Sequence, residues 1–251
     1  MFKLLSKSRV MAPSFVLMLL LAACGPAEVP TSDLIYDPNE IDNREVHEVN
    51  LAIDRAFVRP ASTAYGTIVP EPIRQGIGNA ASNLNQPGHV VNNILQLRIG
   101  AAAQNTLRFA INSTIGIAGI FDPATAMGVA ERSTDFGETL HLWGVSEGEF
   151  VELPVVGPST QRDFAGLIVD TALNPLRYVF ETPELGYANS VNITSRFGDR
   201  YRYSDFIDSI FYQSEDGYAQ ARSLYLQNRR FKLRGDVEPE YFDPYEDPYA
   251  E

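Results

Sequence analysis

Cysteine occurs once in 251 residues and histidine three times. One thiol cannot close an internal disulfide. His47, His89 and His141 are scattered and show no i, i+4 spacing, so no zinc site is read from them. There is no acidic calcium loop, and neither a phosphate loop nor a dinucleotide fingerprint. No metal and no cofactor is expected. Basic residues are also scarce, with 20 Lys and Arg against 32 Asp and Glu. That balance argues against nucleic acid, whose phosphates need a basic surface. A catalytic serine is scarcely better supported. Gly144-Val145-Ser146-Glu147-Gly148 matches the pattern of a hydrolase nucleophile elbow. However, Pro154 and Pro158 follow where the elbow needs a helix, and all three histidines precede Ser146. No catalytic residue is assigned and the chain is read as a non-enzyme, with a hydrolase built on Ser146 kept as an outside alternative.

Long apolar runs are missing too. The longest uncharged stretch near the start, Val10 to Ala23, is shorter than the ~20 residues a membrane span needs. It follows Lys3, Lys7 and Arg9 and ends in small residues, the layout of a secretory signal. Leu21-Ala22-Ala23-Cys24 resembles the lipobox of bacterial lipoproteins. That resemblance makes residues 1–23 a signal peptide and Cys24 the acylated first residue, carrying enough acyl chains for stable anchoring. Gly25 rather than Asp after Cys24 favours the outer membrane, again by resemblance to sorted lipoproteins.

The fold class expected is mainly α, in one domain over residues 39–235. Residues 24–38 read as a lipidated N-terminus and flexible linker, since they are Pro-rich without amphipathic period. Residues 236–251 read as an acidic disordered tail. Val46, Val49, Ile53 and Phe57 recur at helical spacing and predict a helix ended by Pro60. A second helix is expected from Pro72, with Ile73, Ile77 and Leu84 on one face. A long one is expected after Pro87 and Gly88, through "HVVNNILQLRIGAAAQNTLRFAINS". "TQRDFAGLIVDTAL", with Thr160 and Asp163 in capping spacing, and "SEDGYAQARSLYLQNRR" predict two more. "TLHLWGV" and "EFVELPVV" are the best strand patterns.

The most informative absence is of acid. From Pro72 to Phe121 there is neither Asp nor Glu. The stretch keeps Arg74, Arg98 and Arg108 and many asparagines, among them Asn79, Asn83, Asn92 and Asn112. It ends in "FAINSTIGIAGIF", thirteen uncharged residues including Phe109, Ile111, Ile115, Gly116, Ile117, Gly119, Ile120 and Phe121. Such a run is either a buried core helix or a segment seated among lipid headgroups, where carboxylates are repelled and arginine can snorkel. The lipid anchor favours the second. Gly116-Ile117-Ala118-Gly119 reads as a tight turn or packing site rather than a phosphate cradle.

Five blocks then carry a resemblance: "HEVNLAIDRAFVRP", "VPEPIRQGIGNAASNLNQPGHVVNNILQ", "RFAINSTIGIAGIFDPA", "DFGETLHLWGVSEGEFVELPVVGPSTQRD" and "YLQNRRF". In that order they resemble the MlaA/VacJ family of outer-membrane lipoproteins over roughly Asn39 to Gly235. Val49 departs from the family, which usually has an aromatic there. The resemblance implies a single ring-shaped helical domain partly embedded in the inner leaflet of the outer membrane, with an amphipathic pore. It implies removal of mislocalised phospholipids from the outer leaflet, their transfer to a soluble periplasmic carrier of the MlaC type, and a trimeric porin as neighbour. Arg74, Arg98 and Arg108 are candidate headgroup-phosphate partners, and Asn79, Asn83, Asn92 and Asn112 candidate lining of the path. The other reading of both sets is structural: ion pairs and helix-end contacts. A porin-associated scaffolding lipoprotein without transport activity is the alternative function.

Overall fold

A computed structural model of the protein describes residues 35–234. The segments expected to be a signal peptide (residues 1–23) and an acidic tail (236–251), and Cys24 with them, lie outside the described residues. The first helix, α1 (Glu40–Ile53), has Glu40 and Asp42 in its first turn, where the helix dipole favours acids. Pro60 does not end it, contrary to expectation. The chain widens into a π-helical turn (Asp54–Val58) and continues as α2 (Arg59–Ile68). The Arg59 N–H donates to the Asp54 carbonyl, five residues back. Pro60 then falls at the start of the new register, where its missing N–H costs least.

The next helix, α3 (Glu71–Leu95), starts after Pro70 and runs through Pro87 without a break. The helix expected to begin after Gly88 is therefore the last part of α3 followed by α4 (Ile99–Thr114). Gln96–Arg98 separates them, with Leu97 at φ 59°. Two short helices follow, α5 (Pro123–Ala126) and α6 (Phe136–Leu142). α6 includes most of the stretch "TLHLWGV" read as a strand. Its N-cap Asp135 accepts from the Glu138 N–H, and that local bond overrides a weak alternating pattern. β1 (Phe150–Leu153) and β2 (Gly157–Thr160) pair antiparallel, Phe150 opposite Thr160. The expected cap appears at α7 (Gln161–Leu173), where the Thr160 side chain accepts from the Asp163 N–H. α8 (Leu176–Val179), α9 (Thr182–Arg202), α10 (Ser204–Tyr212) and α11 (Gly217–Leu233) complete the domain.

Packing closes these elements into a circuit: α3 lies against α9, α9 meets α10, α10 meets α11, α11 meets β2, β2 meets α7, and α7 returns to α3. Charged clasps hold the circuit. Arg229 of α11 reaches Asp135 before α6 (2.7 Å) and Asp163 of α7 (2.9 Å). Arg200 of α9 binds Asp54 in the π turn through both carboxylate oxygens (3.0 and 2.9 Å) and Asp208 of α10 (2.6 Å), while Tyr212 donates to Asp54 (2.7 Å). Buried charge is tolerable only when its partners are complete. Asp54 meets that condition: burial pushes its carboxyl up, and Arg200 and Tyr212 hold it below the usual range.

One expectation shifts at the N-terminal boundary. The end of the segment read as flexible linker packs on the domain. Tyr36 accepts from the Phe150 N–H, and the buried Asp37 carboxylate takes Tyr218, Arg222 and Asn43. Among the described residues the apolar core is small: Phe150, Tyr218 and Leu226, with Ile35 and Tyr225 packed on it.

Candidate functional site

The residues that ought to form a water-soluble core are on the outside, and α4 shows why. Asn105, Arg108 and Asn112 recur at i, i+3 and i+7 and point inward, Asn105 with no exposed surface at all. Leu107 points outward. This is an amphipathic helix turned inside out: the periodicity is ordinary, but its polar stripe faces the protein. α3 does the same, burying Asn83, Gln86, Asn92 and Asn93 while exposing Ile73 and Ile94. Among the described residues, buried polar and charged side chains outnumber buried apolar ones. The turn after α4 extends the exposed apolar surface. Ile117, Ala118 and Gly119 all have positive φ, and they set Ile115, Ile117, Ile120 and Phe121 outward while Gly116 and Gly119 are buried. Gly119 sits so close to Asn83 that a Cβ there would lie 2.5 Å from the asparagine Cβ. Phe109 and Ile111 are half-buried. No helix among the described residues is long and apolar enough to cross a membrane.

Among the described residues, two polar cavities open to solvent lie between the helices. The larger, about 990 Å³, runs between α3 and α9 and is lined by Arg74, Asn79, Ser82, Arg196, Asp199 and Arg202, among others. The second, about 890 Å³, is lined by His89, Arg98, Gln104, Arg132, Glu138 and Arg229, among others. Glu131 lines both. The segment carrying Glu131 is fixed by two buried asparagines. Asn105 donates to the Arg132 carbonyl (2.8 Å) and accepts from its N–H (3.0 Å), and Asn93 donates to the same carbonyl (3.2 Å).

The arginines singled out in the sequence have different surroundings. Arg74 faces the larger cavity, its guanidinium over the Tyr201 ring at 5.0 Å and its Nε buried without a hydrogen-bond partner. Arg98 lines the second cavity but is ion-paired to Glu138. Arg108 is 3% exposed and held by Asp122 (3.0 Å), Thr125 (3.0 Å) and the Val129 carbonyl. Burial pushes the Asp122 carboxyl up, yet hydrogen bonds from Thr125, Asn112 and Arg108 outweigh it and hold the group down at about 2.

The asparagines do mostly structural work. Asn79 lines the larger cavity and donates to the Ile120 carbonyl (3.1 Å). Asn83 donates to Ser113 (3.0 Å). Asn92 bridges Asp170 (2.6 Å) and Thr139 (3.0 Å). Asn112 donates to Asp122 (2.9 Å) and accepts from the Ala124 N–H (3.1 Å). The sequence reading missed Glu131, Arg196, Asp199, Tyr201 and Arg202. The polar series Asn192, Ser195, Arg196, Asp199 and Arg202 at helical steps was the signal for most of them, but it carries no apolar stripe and so did not read as a helix. Ser146 is exposed, in coil between α6 and β1, with no strand-to-helix elbow around it.

Comparison with known proteins decides the family, because the model of the MlaA lipoprotein family matches residues 35–232. This chain belongs to the MlaA lipoprotein family. It is 30% identical over 221 residues to the intermembrane phospholipid transport system lipoprotein MlaA of Escherichia coli (strain K12), covering 86% of this chain and 84% of that one. An uncharacterised protein of Rickettsia felis is 35% identical over 202 residues, 80% of this chain and 79% of the relative. A solved structure from work on the structural basis for maintenance of bacterial outer membrane lipid asymmetry aligns at a TM-score of 0.66 and 29% identity. It covers 78% of this chain and 98% of that one. The mainly helical class and the MlaA fold are thus established for this chain, and the MlaA relatives with names are transport-system lipoproteins.

Proposed function

We propose that this protein removes mislocalised phospholipids from the outer leaflet of the outer membrane and passes them to a periplasmic carrier of the MlaC type. Cys24 carries the lipid that holds it at the periplasmic face, and a trimeric porin is its neighbour. One observation carries this reading: α3 and α4 turn apolar side chains outward, while polar side chains line open cavities between the helices. A charged headgroup cannot cross hydrocarbon without compensation. A ring with this polarity, seated in one leaflet, offers the headgroup a polar route while acyl chains stay against apolar surface. Ile115, Ile117, Ile120 and Phe121 meet lipid tails. Arg74 and Asn79 face the path. Arg108, Asn83, Asn92 and Asn112 brace its wall, and Arg98 stands at the second cavity beside Glu138.

The test is surface-accessible phospholipid in cells with the gene, without it, and with Cys24→Ala. Accumulation in both altered strains is expected. Unchanged surface phospholipid in the deletion would refute the transport reading and leave a scaffolding role beside the porin. An Arg74→Glu strain that clears lipid normally at normal protein level would remove Arg74 from the path.

A further inference from the structure

The larger cavity carries charge of both signs in equal number. Arg74, Arg196 and Arg202 face it, and so do Glu71, Glu131 and Asp199. Elsewhere in the fold arginines and acids that share a space are paired, as Arg108 with Asp122, Arg200 with Asp54 and Arg229 with Asp163. Among the described residues no ion pair joins the three cavity arginines to any carboxylate. Arg74 stacks on Tyr201 and leaves its Nε without a hydrogen bond. The acids have neighbours, Gln75 on Glu71 and Ser82 and His89 on Glu131, but the arginine charges facing this space are left for a ligand to satisfy.

Two of the acids lie among the arginines, Glu71 one turn before Arg74 and Asp199 between Arg196 and Arg202, and only Glu131 stands apart. Arg74 packs against Tyr201, while Gly78 lies beside Ser195, so α3 and α9 run antiparallel. Arg74 and Arg202 therefore stand at one end and Arg196 nearer the middle. Ser82 lies eight residues beyond Arg74, about 12 Å along the helix at ~1.5 Å per residue. Its hydroxyl donates to Glu131 Oε2 at 3.0 Å, and His89 Nε2 lies 3.6 Å from the other carboxylate oxygen, Oε1. Glu131 is not on a loose loop, because Asn105 and Asn93 grip the backbone of the next residue. It also borders the second cavity.

We infer that this cavity receives the headgroup of a zwitterionic phospholipid, its phosphate on the arginines and its ammonium on Glu131, in preference to a headgroup of net negative charge. The phosphate of either lipid meets the arginines, but only the ammonium of a zwitterion answers the Glu131 carboxylate. A zwitterion gains charge-assisted hydrogen bonds at both ends. The inference rests on the lipid-path reading above.

The test uses the full lipidated chain in vesicles of equal phosphatidylethanolamine and phosphatidylglycerol. The protein is extracted in mild detergent and its retained lipids are counted by native mass spectrometry. The wild type is expected to retain phosphatidylethanolamine about tenfold over phosphatidylglycerol, the size of one hydrogen bond to a charged group. Glu131→Gln should bring the ratio within about twofold, and Glu131→Lys should invert it. Glu131 is exposed to the cavity, so neither change disturbs the packed interior. Arg74→Glu with Arg196→Glu should lower retention of both lipids. Equal retention by the wild type, or an unchanged ratio in Glu131→Lys, overturns the headgroup inference and leaves the lipid path standing. No retained lipid of either class in the wild type overturns both.

Discussion

Replacing Ile117 and Ile120 together with aspartate should detach the domain from membranes without unfolding it. Both residues lie on the outward turn after α4, 61% and 46% exposed. Fully burying an isoleucine side chain is worth about 1.5–3 kcal/mol. Since about half of each side chain is available to enter lipid, the pair contributes about 2 kcal/mol of membrane affinity. Its loss alone is about thirtyfold in partitioning. Two added charges at the headgroup layer weaken binding further, so thirtyfold is a lower bound. The assay is flotation of the Cys24→Ala chain with phosphatidylethanolamine and phosphatidylglycerol vesicles, because the acyl anchor would hide the effect. Thermal melting of the same variant should move by a few degrees at most, since Ile117 is largely exposed and Ile120 touches the interior only where its Cγ2 meets Gly76. If the double variant floats as well as its parent, this face does not meet lipid and the inside-out reading of α4 is wrong.

Gly119→Ala should lower stability by about 2–4 kcal/mol, through the left-handed backbone and the collision with Asn83, seen as a melting drop of about 5–10 °C. Arg108→Met strips Asp122 of its guanidinium and should cost about 3 kcal/mol, with Asp122→Asn restoring at least about 1 kcal/mol of it in denaturant titrations. Asp122 itself sets an acid limit. Its carboxyl sits at about 2 when folded against 3.8 in the open chain, so its stabilisation, about 2 kcal/mol, is complete above roughly pH 4 and fades as pH falls through 2. Asp122→Asn should flatten that part of the stability-versus-pH curve. Ser146→Ala should clear surface lipid as the wild type does, and failure to do so would revive the hydrolase reading.

Capping chemistry was the most legible part of the fold in the sequence. Thr160 and Asp163 marked the start of α7, and the acids and arginines at its two ends marked α11, because these are local interactions that need no tertiary context. Proline was read too strongly. Pro60 and Pro87 look like boundaries in the sequence, yet both lie in continuous helix: a π turn re-registers the bonds before the first, and α3 runs on through the second. The acid gap from Pro72 to Phe121 proved to span α3, α4 and the outward turn. It was visible as composition, but its meaning depended on which helix face turned inward, and spacing alone cannot give that sign. α9 was invisible for a related reason. Its cavity-facing side is polar, so the apolar stripe by which helices are found is weak, and with it went Arg196, Asp199 and Arg202.

The polar interior also shapes how stability changes with temperature. The heat capacity of unfolding comes mainly from apolar surface that becomes wetted, and polar surface subtracts from it. In this domain much apolar surface is already outward and much of what unfolding would newly wet is amide, hydroxyl and guanidinium. Calorimetry of the chain in detergent should therefore find a heat-capacity increment well below the usual ~12–15 cal/mol/K per residue. The stability curve should be correspondingly flat, with charged clasps and hydrogen bonds rather than apolar burial holding the circuit of helices together.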